Sequence, residues 1–171
     1  QSVYFDAFRD IAVGSDGIAL QSTNTTEVGE FEINWSIGST PVPTEQSQRV
    51  ISTMITGKTE QDFVHQFSVF FRPDGSKHQW GVSFLDSDFN YRRAQTDIFY
   101  DGDFTVQRMM LNWRYSEENW ELASEIVQER VSVYGFYAPQ LVRTQFAQGA
   151  YLLARYNLTP QTTAYLSHDH Y

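Results

Sequence analysis

The chain has 171 residues, 21 acids against 12 bases for a formal net charge of −9, and no cysteine. The acidic balance argues against a nucleic-acid partner, which needs a basic footprint, and the lack of cysteine removes disulfide and thiol chemistry. No apolar run approaches the ~20 residues of a spanning helix, mean hydropathy is −0.44, and the opening QSVYFDAFRD lacks the basic and apolar regions of a signal peptide. Such a scan is blind to barrel strands, which need only ~9–11 alternating residues each.

Taken in order, the chain predicts strands near 3–12 and 17–24, then a longer one over 30–40, where Phe31, Ile33, Trp35 and Ile37 alternate with Glu32, Asn34, Ser36 and Gly38. A short strand is expected near 48–56. Over 63–72, Phe67, Val69 and Phe71 oppose Gln66, Ser68 and Phe70; over 78–89, Trp80, Val82 and Phe84 oppose Gln79, Gly81 and Ser83. Over 105–115, Met109, Leu111, Trp113 and Tyr115 oppose Arg108, Met110, Asn112 and Arg114. Over 119–133, Trp120, Leu122 and Ile126 oppose Glu121, Ala123 and Glu125; the helix formers in 118–131 compete here, but the alternation after a hairpin turn favours a strand. Strands over 144–158 and 162–171 close the series, with Ala150, Leu152, Ala154, Tyr156 and Leu158 on one parity. No helix is expected.

The connections alternate in length. Turn-rich segments at 25–30, 73–77, 116–119 and 159–162 separate long polar stretches at 42–63, 91–104 and 134–143. Short turns at one end and long loops at the other mark an up-and-down barrel in a membrane. Phe31, Phe71, Trp80, Trp113, Tyr115, Trp120, Tyr156 and Tyr165 flank the short turns, as a girdle at a water–lipid interface would. The fold class expected is therefore all-β, an antiparallel up-and-down transmembrane β-barrel, with about ten strands in one domain.

The segments QSVYFDAFRDIAVGSDGIAL, EVGEFEINWSIG and GAYLLARYNLTPQTTAYLSHDHY resemble the porin-like outer-membrane proteins of Gram-negative bacteria. The resemblance implies a barrel of about 16 or 18 strands, often trimeric, in the bacterial outer membrane. The chain carries roughly half those strands, so it is expected to be an internal portion of a larger barrel, incomplete at both ends.

The residues with chemistry point the same way. His168 and His170 would share a strand face, the lipid side or its rim, and DSDFN (86–90) and YDGDF (100–104) place clustered oxygens in expected loops. No complete metal motif, GxSxG, P-loop or Rossmann fingerprint occurs, so neither metal, cofactor nor catalysis is expected. If the apolar parity faces lipid, where charge costs ~2–4 kcal/mol at midplane, the polar parity faces a lumen. That assigns Glu32, Asn34, Gln66, Arg108, Asn112, Arg114, Glu121, Glu125, Arg155 and Asp169 to the pore lining. Opposed Arg and Glu rows would orient dipolar solutes, and an acidic excess would bias passage toward cations. Arg92 and Arg93 would form a constriction or bind lipopolysaccharide phosphate. The expected function is passive diffusion of small hydrophilic solutes, with outer-membrane lipid and lipopolysaccharide around the barrel. Two other readings stay open: a soluble barrel binding a small ligand inside, and an outer-membrane barrel enzyme such as a lipid hydrolase.

Overall fold

The computed structural model describes residues 16–39, 41–42, 44–50, 52–159 and 161–170. The strand expected near 3–12 lies outside them. The elements are β1 (Asp16–Thr26), β2 (Gly29–Ser39), β3 (Pro41–Val42), α1 (Thr44–Val50), β4 (Lys58–Pro73), β5 (His78–Arg92), β6 (Gly102–Ser116), β7 (Trp120–Tyr134), β8 (Val142–Thr159) and β9 (Thr162–His170). All strands belong to one antiparallel sheet in the order β1-β2-β4-β5-β6-β7-β8-β9, with β3 paired to β4 beside this path. The fold is all-β and up-and-down. The sheet is open, with β1 and β9 as its edges, which is the arrangement of a partial β-barrel.

Period-2 alternation dictates these strands, because successive side chains leave a strand on opposite faces. The short turns stop them. Between β4 and β5, Gly75 takes φ 65°, a left-handed conformation that glycine adopts without a Cβ penalty, and the Ser76 amide donates to the Pro73 carbonyl at 3.0 Å. The short turns lie at one end and are stitched together. The Asp74 amide donates to Val28, that of Ser116 to Lys77, and that of Asn157 to Asn119, at 3.1, 2.9 and 2.9 Å. The Lys77 ammonium bridges to Glu117.

Three expectations require correction. The described residues of 48–56 form no strand, and a helix stands where none is expected: the segment from Thr44 to Val50 is helical, with a turn at 53–54. Its residues do not alternate, Gln and Arg are good helix formers, and Glu45 sits in the first turn, where the positive end of the helix dipole favours an acid. The DSDFN segment lies within β5 and not in a loop. Strands reach further into the long connections than expected, and β4 begins at Lys58.

Candidate functional site

Directly paired residues project from the same face of a sheet, so the register sorts every strand residue onto one of two faces. One row runs Glu32, Phe70, Gly81, Asn112, Glu125, Tyr151, Asp169 across seven strands. A second, four residues along β2, runs Ser36, Gln66, Leu85, Arg108, Glu129, Ala147. Asn34 lies between them beside Ser68, Arg114 lies one step nearer the turns, and Glu121 faces Arg155 in the next row. All ten residues singled out from sequence therefore share one face.

That face is the covered one. From β4 to β7 every buried side chain belongs to it, including Ser83, Ser87, Val127, Arg108 and Glu129. Arg108 donates from Nε to Glu129 at 2.8 Å and again from a terminal nitrogen. The two side chains are 7% and 5% exposed, so desolvation is offset by two charge-assisted bonds. Glu121 forms ion pairs with Arg114 at 3.1 Å and Arg155 at 3.3 Å, which neutralises part of the turn-end charge. Glu32 accepts from Asn34 at 3.0 Å and Gln21 at 3.2 Å. Glu125 and Asp169 lie in the Glu32 row, and neither is among the ion pairs of the described residues.

Two recesses open on this face. One of about 600 Å³ is bordered by Asn34, Ser36, Gln66, Ser68, Ser83 and Arg108. The other, about 390 Å³, is bordered by Glu32, Asn112, Arg114, Glu125 and Tyr151. Between them the Phe70 ring lies flat over Gly81, where a Cβ would come within 2.3 Å of it. Phe70 and Tyr151 belong to this surface but escape a search for charge and amide groups; their strand parity was the available signal.

Over its turn-end half the opposite face is apolar and bare. Trp80 is 55% exposed, Leu111 48%, Ile126 56% and Leu152 51%. Its aromatic residues meet in pairs near the short turns: Phe31 stacks on Phe71 at 4.5 Å, Trp80 lies 6.2 Å from Trp113, and Trp120 lies 4.5 Å from Tyr156. Tyr165 does not join them. It pairs with Arg155 on the other face, because an irregularity between Asn157 and Thr159 shifts the register by one residue. His168 and His170 do lie on the apolar face, opposite Leu152 and Ala150.

The apolar band slants across the sheet. In β1 its outward residues are Ile18 and Leu20, and the register carries their midpoint through Ser36, Gln66, Leu85, Arg108 and Glu129 to Ala147. In β9 they are Ala164 and Leu166, whose midpoint maps to Arg155. Ala147 and Arg155 differ by eight residues, about 27 Å along a strand, over seven strand steps of ~4.8 Å. The band thus runs at roughly 40° to the register rows, the tilt that strands of membrane barrels take to the barrel axis.

At the long-loop end the covered face becomes apolar. Phe89, Tyr91, Phe104 and Val106 project there and pack with Val42, Ile55 and Phe136. Phe136 lies 5.1 Å from the Tyr91 ring, 5.0 Å from Phe104 and 4.4 Å from Phe99. Asp97 ties the connections together. Its Oδ2 accepts from the amides of Thr56 and Gly57 at 3.1 Å and from the Tyr91 hydroxyl, and its Oδ1 accepts from the Phe99 amide at 3.1 Å. Burial works against its charge, but these donors outweigh burial and hold the carboxyl below the ordinary aspartate range. Arg93 sits over the Tyr100 ring, 5.6 Å from its centroid.

Among the described residues, no three His, Asp or Glu side chains converge as a metal site would require. Comparison with family models, curated proteins and solved structures finds no match to this chain.

Proposed function

We propose that the chain forms one wall of a porin-like β-barrel in the bacterial outer membrane, through which small hydrophilic solutes pass by diffusion. The observation that carries this reading is the inverted amphipathicity of the turn-end half of the sheet. Polar and charged side chains occupy the covered face, while Trp80, Leu111, Ile126 and Leu152 stand exposed on the other. In water such a face is unfavourable by ~25 cal/mol for each Å² of apolar surface left uncovered; against hydrocarbon the same face is at rest. The slant of the band supports the reading independently, since a membrane cuts tilted strands along such a diagonal.

In this reading the ten polar residues from Glu32 to Asp169 line the water path, the band contacts outer-membrane lipid and lipopolysaccharide, and the barrel assembles as a homotrimer. Solutes are filtered by lumen width and wall charge without a cofactor or a chemical step. The soluble ligand-binding reading is less well supported, because an apolar ligand would meet Arg108, Glu129, Asn112 and Glu125 across the middle of the covered face.

Planar-bilayer recording with the purified protein tests the proposal. Stepwise conductance that favours cations is expected. A folded barrel without conductance would exclude the channel, and a chain that stays monodisperse in buffer without detergent would exclude the membrane.

A further inference from the structure

On the apolar face a trough of about 500 Å³ crosses the sheet from β2 to β8, a volume in the range of ligand sites. Its lower wall is Trp35, Phe67, Phe84 and Met109, successive members of one register row. Its upper wall is the next row of the same face, with His65, Asp86, Gln107 and Arg130. From β4 to β6 one side is therefore apolar and the other polar, while at β7 and β8 Gln128 continues the lower row and Phe146 the upper.

The slant of the band gives the trough a direction. In β2, Trp35 lies inside the apolar series that runs from Phe31 to Ile37. In β7 the last outward aliphatic residue is Ile126, and Arg130 stands two rows beyond it. From β7 to β2 the trough descends from the polar margin into the band, over four strand spacings or about 19 Å. Arg130 marks the upper end. It is exposed, its cross-strand neighbours are Gln107 and Phe146, and among the described residues it makes no ion pair. The acid in the same row, Asp86, lies two strands away, about 10 Å, so an anionic group is favoured at the Arg130 end alone.

We infer that this trough binds a membrane lipid with a phosphate headgroup, the phosphate at Arg130 and one acyl chain laid along Met109, Phe84 and Phe67 toward Trp35. The inference rests on the membrane reading above and adds a defined lipid site to it. Charge selects the headgroup and the apolar wall selects the chain, so neither a free phosphate nor an uncharged detergent meets both requirements.

The test uses the full chain folded in dodecyl maltoside micelles, with binding read by native mass spectrometry. Lauroyl phosphatidylglycerol is expected to bind one per chain in competition with the maltoside, and inorganic phosphate is expected not to bind. Arg130→Gln should weaken lipid binding about tenfold, the effect of losing one charge-assisted contact, and Phe84→Ser should weaken it several-fold. Lys58→Gln, on the same face outside the trough, should leave it unchanged. Equal lipid retention by Arg130→Gln and the unmodified chain, or saturation by inorganic phosphate alone, would overturn the inference. Conductance recorded on the same preparations separates the two ideas: a conducting barrel without retained lipid refutes the lipid site only, whereas a chain soluble without detergent refutes the membrane reading beneath it.

Discussion

The two ends of the same strands are built for opposite surroundings. On β5, the turn-end half places Trp80, Val82 and Phe84 outward and Gln79, Gly81 and Ser83 on the covered face. Past Leu85 the polarity inverts: Asp86, Asp88 and Asn90 point outward, and Phe89 and Tyr91 enter the core. β6 repeats the change, from Leu111 and Trp113 outside to Thr105 and Gln107 outside, with Phe104 and Val106 within. The buried Arg108–Glu129 pair sits near the crossover. Alternation fixes two faces, but only its phase tells what each face meets. A phase that flips mid-strand suits a wall that leaves lipid and continues into water, capped by a small hydrophobic core of its own.

The largest effect that would test this contrast belongs to the loop-end core. Phe136 is 1% exposed, so Phe136→Ala should destabilise that half by about 3–5 kcal/mol, with amide exchange rising in 93–101 and 135–141 before it rises in the turn-end strands. Uniform loosening of the sheet would show that the two halves are one cooperative unit. Next come paired charge insertions on the outer face of β7. Ile126→Arg should cost about 2–4 kcal/mol of folding free energy in lipid vesicles, while Ser132→Arg, above the band, should cost under about 1 kcal/mol. Urea titrations of vesicle-folded protein measure both, and equal costs would erase the proposed lipid boundary. A smaller effect is expected within the lumen. Glu125→Gln removes a carboxylate with no ion pair among the described residues, so the cation-to-anion permeability ratio should fall roughly two-fold, read from reversal potentials in a salt gradient. Glu121→Gln should move the ratio in the same direction, by releasing Arg114 and Arg155.

Much of this was legible in the sequence, because parity survives wherever pairing is regular. The chain positions of Glu32 and Asp169 are far apart, yet each carries the polar parity of its own strand, and the register brings them into one row. Parity failed where a residue is inserted. Counting back from the Thr159–Thr162 pair would set Tyr156 opposite Tyr165, but the irregularity between Asn157 and Thr159 sets Tyr165 opposite Arg155. The loop-end core was hidden for a different reason. Val42, Ile55, Phe99 and Phe136 come from three separate connections and have no shared period; only the folded sheet brings them together. The inward turn of Phe89 and Tyr91 was written in the sequence, as aromatic residues on the parity otherwise held by Gly81 and Ser83. The trough on the outer face could not be read at all, since it needs two adjacent rows and the slant of the band.

The smallest effect concerns how the loop-end half is fastened. Asp97 has a carboxyl held below its ordinary range despite burial, through donors on Tyr91, Thr56, Phe99 and Gly57. A group whose pKa is lowered by folding contributes stability that is fully present above its unfolded value, near ~3.9 for aspartate, and that is lost as pH falls through the lower folded value. The connections at 52–57 and 93–101 should therefore stay protected from proteolysis at pH 6 and become several-fold more susceptible as pH drops below about 4. Asp97→Asn should be more susceptible at pH 6 and should lose most of the further rise on acidification, because the charge that acid removes is already absent. The turn-end strands contain no part of this cluster and should keep the same cleavage rate in both proteins. If acid loosens the Asp97→Asn loops as much as the unmodified ones, Asp97 is not the fastening.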